Sequence, residues 1–460
     1  MNSKKIAFSF LILAFSCLIA GLFFGMIGSL QYILPAFLRD SFSFQKTRPL
    51  HVFLVTQWIS CAAVGCLYYF LPGIAKRKMY SSKMGWTHFS MNAFIISVTV
   101  YNFFAGNFSG REYMEFPVWI AMFMIVGWVL LLINFIATVR PAYHTAPVYI
   151  WSWTAGIIFF IITISEALLW KFDHFNNNIV RDITVQWKAL GSMVGAWNML
   201  IYGSATYIMY QTTKNKEMAN SKLTFFFFFL GLTNLMFNWG HHTYVVPASP
   251  VIKSVAYIIS MTELLILFQL IFKWKKIFLQ KNSKHHFSFR LISMTDRWIL
   301  LNLTLAIAIS VPYINQFTHG THITVAHAMG ATIGINTTLL LAAAFFIFYK
   351  ERKSVGVKVP AVVRINFKVF NISLLVFWVS LIASGLIKSK ALIEHKGFYE
   401  IMKDLQPYFH AFSLSGFVLM IAIIFIALPL LRFYFKALFE KKRVVQRQEY
   451  QIQQSVLEEV

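Results

Sequence analysis

His319, His322, His327 and Met329 crowd one stretch, T-H-G-T-H-I-T-V-A-H-A-M at 318–329, which opens an apolar segment with no charged residue before Lys350. Ring nitrogens and a thioether at a membrane helix entrance are costly unless something bonds to them. Histidine and methionine are both axial heme ligands, and neutral imidazole is a common metal ligand. On a helix, positions 327 and 329 point about 200° apart, so one helix can offer a ligand to a site on each side. G-H-H at 240–242 and R-P-L-H at 48–51 add His241, His242 and His51. Glu263 stands alone in an apolar run, and Glu115 lies in G-R-E-Y-M-E-F-P at 110–117. The same residues also serve as polar packing groups between membrane helices.

The elements that position them are membrane spans. Of 460 residues, 58% are hydrophobic and 13% charged, about half the charge of an ordinary soluble domain. Apolar runs recur that are long enough to cross a ~30 Å hydrocarbon core as helices. The pattern predicts an all-α membrane protein of about twelve transmembrane helices: 6–33, 51–74, 86–104, 117–137, 148–170, 183–210, 223–246, 251–272, 298–317, 319–349, 369–387 and 409–433. These form one heme-binding domain over 1–434, followed by a polar cytoplasmic tail at 435–460. The first apolar run is too long for a signal peptide and reads as a retained span.

The net charge of +24 sits in loops between spans, which argues for topology and against nucleic acid. About 29 of the 41 Lys and Arg fall on one side if the N-terminus is cytoplasmic, so both termini are read as cytoplasmic. His51, His241, His242 and His327 then converge on the outer half of the membrane. The three cysteines have no zinc spacing, and C-x-x-C-H, the attachment motif of a covalent c-type heme, is absent.

Together these motifs resemble subunit I of the heme–copper oxidase superfamily, most closely the catalytic subunit of bacterial nitric oxide reductases. T-H-G-T-H-I-T-V-A-H at 318–327, G-H-H with Pro250 and Glu263 downstream, R-P-L-H, and G-R-E-Y-M-E-F-P carry the resemblance over most of the chain. The resemblance implies a heme–copper oxidase subunit I-like bundle. His327 would be the axial ligand of a high-spin heme, and His241 and His242 would hold a non-heme iron or copper facing it. His51 would ligate a low-spin heme, Glu115 would match a calcium-linked carboxylate, and Glu263 an acid that relays protons beside the cavity. It further implies a multi-pass protein of the bacterial inner membrane that reduces NO to N2O, with protons entering from outside. Electrons would come from a membrane-anchored cytochrome c subunit docking on the outer face.

The chain departs from that pattern in two places. The second low-spin ligand of the family is a histidine where Met329 stands, so His51/Met329 ligation is expected here, at a higher potential than a bis-histidine heme. The third metal histidine belongs in span six, where V-Q-W-K-A-L-G-S-M-V-G-A-W-N-M puts Gly191, or Leu190, at that position. Asn198, water, His322 or Glu263 are the candidate replacements. Two other readings stand beside NO reduction. One is a terminal oxygen reductase like cytochrome c oxidase subunit I; the other is a non-catalytic heme protein that has lost the complete metal site.

Overall fold

A computed structural model describes residues 2–439 except 245, 248, 260, 261, 281–286 and 353–358, and without the side chains of 142 and 144. The described residues form helices joined by turns and loops, with no strand among them. In order, the long helices are α1 Asn2–Gln31, α2 Phe44–Ala75, α3 Ser82–Ala105, α4 Val118–Val139, α5 Val148–Glu166, α6 Ile179–Thr213 and α7 Lys222–Phe237. They continue with α8, described in two parts, Pro250–Ile259 and Thr262–Gln280, then α9 Phe287–Ser310, α10 His322–Glu351, α11 Ala361–Ile393 and α12 Phe398–Phe439. Among the described residues, ten segments are long and apolar enough to cross a membrane. Each span expected from the sequence overlaps one of the long helices, and α3 and α6 are the two that fall outside those ten. The polar tail expected from residue 435 begins as a continuation of α12 to Phe439, and 440–460 lie outside the described residues.

Several boundaries shift for local reasons. Helix α9 begins at Phe287, not Trp298, so Arg290, Asp296 and Arg297 are helical rather than loop residues. It ends at Ser310 because Pro312 starts a separate short helix, Pro312–Thr318, and proline cannot donate the backbone bond that would continue the first. Gly320, at φ 75°, makes the following corner. Thr321 then caps α10, its side chain accepting from the Ile323 amide. Helix α10 is α-helical to Met329, π-helical over Gly330–Thr337, and α-helical again to Glu351.

Large aromatics fill the interior: Trp58, Trp153, Trp274 and Trp298 are fully buried. Their indole N–H groups need partners in an apolar core. Trp58 donates to Thr337 at 3.1 Å and Trp153 to the Leu200 carbonyl at 3.1 Å. Small residues let helices close on one another. On α6, a Cβ at Gly191 would stand 2.7 Å from Trp239 Cβ, and one at Gly195 2.7 Å from Leu235 Cα. That spacing of four residues puts both on one face, pressed against α7.

Candidate functional site

Helix α7 ends at Phe237 and tightens into a 3-10 turn, Asn238–Thr243. The turn carries His241 and His242, whose ring centroids are 4.2 Å apart. Trp187 of α6 lies nearly parallel to His242, at 4.6 Å and 11°, and meets His319 edge-on at 6.5 Å. His241, His242, His319 and His327 line one cavity of about 40 Å³, together with Ser310 and Thr324. A cavity needs roughly 10–15 Å³ to admit one water, so this one admits a water or a diatomic gas.

His327 Nδ1 is buried without a hydrogen-bond partner among the described residues. His319 sits on the corner before α10, outside the spans, and burial pulls its imidazole below the ordinary histidine range, which favours the neutral ring. His322 is close in sequence but not part of this cluster. It lies edge-on to Tyr32 and Phe409, at 6.0 and 5.5 Å.

His51 sits on α2 with Nδ1 2.8 Å from the Gly21 carbonyl. A carbonyl only accepts, so Nδ1 carries the proton and Nε2 keeps its lone pair, the arrangement found in metal-bound histidines. Gly25 is required beside it, because an added Cβ would fall 2.5 Å from Nδ1. Met329 is half-buried against the apolar core.

Three residues before His51, Arg48 donates to Glu115 at 3.1 Å and to Glu112 at 2.5 Å, and its guanidinium lies over Tyr113. Arg111 pairs with Asp182, and Gln186 donates to the Glu112 carbonyl at 2.9 Å. The loop between α3 and α4 therefore ties the start of α2, near His51, to the start of α6, near Trp187. Burial lifts the Glu115 carboxyl above its ordinary range, against the pull of backbone amides and Arg48.

Glu263 of α8 is buried against Gly231 of α7, where an added Cβ would lie 2.7 Å from Oε1. Gly231 precedes His241 by ten residues, about 15 Å along a helix, and Glu263 is not among the residues lining the cavity. Asn198 accepts a hydrogen bond from Asn336 at 3.2 Å. Neither is among the residues that line the histidine cavity.

Among the described residues, no three His, Cys, Asp or Glu side chains are grouped to hold a metal ion. The donor chemistry at His51 and His327 fits axial ligation of hemes, one by its fixed tautomer and the other by its unpartnered ring nitrogen. The metal side does not fit a three-histidine centre, since the space at Gly191 is filled by Trp239. Trp187 entered the sequence reading only as part of V-Q-W. A tryptophan four residues before the missing histidine was the available signal.

A profile of the family described as cytochrome c and quinol oxidase polypeptide I matches residues 5–418. The chain belongs to that family, the subunit I of heme–copper oxidases. Its members are membrane oxidoreductases that bind hemes and a metal. A nitric oxide reductase subunit of Stutzerimonas stutzeri is 21% identical over 359 residues, covering 74% of each protein. A heme–copper terminal oxidase dimer solved by cryo-EM superposes with a TM-score of 0.74 at 13% identity, covering 94% of this chain and 84% of that one. The last likeness concerns the fold alone.

Proposed function

We propose that this protein is a divergent nitric-oxide-reductase-like subunit of a bacterial inner membrane. It would join two NO with two electrons and two protons to give N2O and water. The observation that carries this reading is the gas-sized cavity walled by His241, His242, His319 and His327. The likeness to a nitric oxide reductase subunit supports it. Heme bound at His327 and His51 would supply electron transfer and a site for the gas. His51 would be held for that role by Gly21, and Met329 would face the opposite side of α10 from His327. The protein's own contribution is to orient the imidazoles, His242 being held flat by Trp187. Electrons would come from a cytochrome c partner docking on the outer face.

A second reading has its own observation. Gly191 and Gly195 close α6 onto α7 where the family keeps metal ligands, which favours a heme protein that binds gas without reducing it. Purified full-length protein, loaded with heme and given reductant, separates the readings in a sealed electrode chamber. NO consumption with stoichiometric N2O supports the first. Oxygen uptake without NO consumption makes it an oxygen reductase, and consumption of neither gas supports the second.

A further inference from the structure

The first turn of α1 carries two lysines whose surroundings differ. Lys4 donates to Glu351 at 2.7 Å. Lys5, turned about 100° from it on the helix, is half-buried and has no acidic partner among the described residues. Ser9, Ile12, Leu13 and Ser16 follow on the same side of α1, at the spacing of one helix face. Ser9 is 5% exposed, and its hydroxyl bonds to nothing among the described residues. Ser16, by contrast, donates back to the Ile12 carbonyl at 3.0 Å, as serine often does inside a helix.

These residues line an open groove of about 530 Å³ between α1, α3 and α12. Trp86 and Phe89 of α3 form one wall, edge to face at 5.8 Å. Phe435 and Phe439 of α12 form the other, stacked at 6.2 Å. Among the described residues no acidic side chain lines it. Loop charges put this end of all three helices on the cytoplasmic side, across the membrane from the histidine cavity. From Lys5 to Ser16 the groove runs ~16 Å along α1, about half of a ~30 Å hydrocarbon core. It therefore spans one leaflet, with an ammonium at headgroup depth and apolar walls below.

We propose that the groove seats one anionic phospholipid of the cytoplasmic leaflet. Its phosphodiester bonds Lys5 and the Ser9 hydroxyl, and an acyl chain lies along Ile12, Leu13 and Ser16 between the aromatic walls. A buried hydroxyl and a half-buried ammonium are costly without a polar partner, and a soluble anion would leave the aromatic walls bare. A helix from another chain is too thick, since ~16 Å of helix, 10–12 Å across, fills roughly 1,300 Å³ or more. The unpaired charge of Lys5 selects a headgroup of net negative charge, because a zwitterionic one carries its own ammonium. Neither heme nor gas takes part, so the seat is independent of the function proposed above.

Two measurements on the full chain test it. In the first, a benzophenone amino acid replaces Ile12 and native membranes are irradiated. The expected adduct is one phospholipid with an anionic headgroup. An adduct with residues 440–460 or with another protein, or no lipid adduct, would overturn the proposal. In the second, protein is taken into detergent from nanodiscs of mixed phosphatidylglycerol and phosphatidylcholine, and native mass spectrometry reads the lipid retained. One phosphatidylglycerol per chain is expected, and Lys5→Gln should lower its retention about tenfold or more. Ser16→Phe, at an exposed position, should fill the acyl end of the groove and remove the lipid. Lys222→Gln, exposed at the cytoplasmic end of α7, should change nothing. Equal retention of the two lipids, or an equal loss in Lys222→Gln, would reveal a general attraction to the basic face and overturn the seat. Retention of the lipid by Ser16→Phe would overturn the acyl placement.

Discussion

Trp187 of α6 covers the face of His242, 4.6 Å away and 11° from parallel. The ring of His242 is therefore fixed by its neighbour before any metal arrives. A parallel aromatic pair adds about 0.5–1.5 kcal/mol beyond buried area, and groups that orient a ligand commonly change metal affinity by about 10–100-fold. Trp187→Leu should weaken binding of cobalt(II), read from its visible ligand-field bands, by about that factor, while Trp187→Phe retains most of it. Equal affinity in all three proteins would show that the stack does not position His242.

Putting the family's histidine back should fail. At Gly191 even a methyl would press on Trp239, and Gly195 is closed in the same way by Leu235. Overpacking a fitted contact costs about 1–3 kcal/mol, so Gly191→Ala should lower the thermal midpoint, and Gly191→His should lower it further without raising metal content per heme. A Gly191→His protein that melts like the parent and gains one metal would refute this.

The tautomer of His51 and the position of Met329 make a spectroscopic prediction. The low-spin heme should show a methionine–histidine charge-transfer signature by near-infrared magnetic circular dichroism. Met329→His should replace it with a bis-imidazole signature and lower the potential. Gly25→Ala should disturb the same heme through the His51 ring. A bis-imidazole signal in the unaltered protein would end the Met329 assignment.

Glu115 carries a pH dependence whose sign follows from its burial. Its carboxyl holds a proton more tightly in the fold than at its ordinary value of 4.5. A raised folded-state value means that the stability it lends is complete below the unfolded value and is lost as pH rises through the folded one. The thermal midpoint of Glu115→Gln should therefore lack part of the decline that the parent shows from about pH 4.5 upward. Parallel curves for the two proteins would show that Arg48 and the backbone amides cancel the effect of burial.

Much of this was legible in the chain itself. Apolar length located the helices, because a bilayer demands it whatever the packing. The G-H-H and T-V-A-H motifs located the cavity, because lone imidazoles in apolar runs are rare. What could not be read depended on distances between helices. Trp187 looks like any membrane tryptophan until it is seen on His242. The packing of Glu263 on Gly231 joins α8 to α7 across the fold, a contact that neither residue announces in the chain. Gly191 read as a missing ligand, whereas it is a contact point that brings α6 to within touching distance of Trp239. The start of α9 was hidden by Arg290, Asp296 and Arg297, whose charges resemble a loop until Lys275 is found beside Asp296.

The eight π-helical residues from Gly330 to Thr337 divide α10 into two parts that need not share a register. A π turn closes on the fifth residue rather than the fourth, so it holds the equivalent of an inserted residue. Deleting one residue between 330 and 337 would let the helix return to α geometry and absorb the loss within the stretch. His327 and Met329, which precede it, and the buried inner half from Thr338, which follows it, would keep their aim. Natural variants that differ by a single residue in this segment should thus preserve both the ligands and the side chains that face the interior below them.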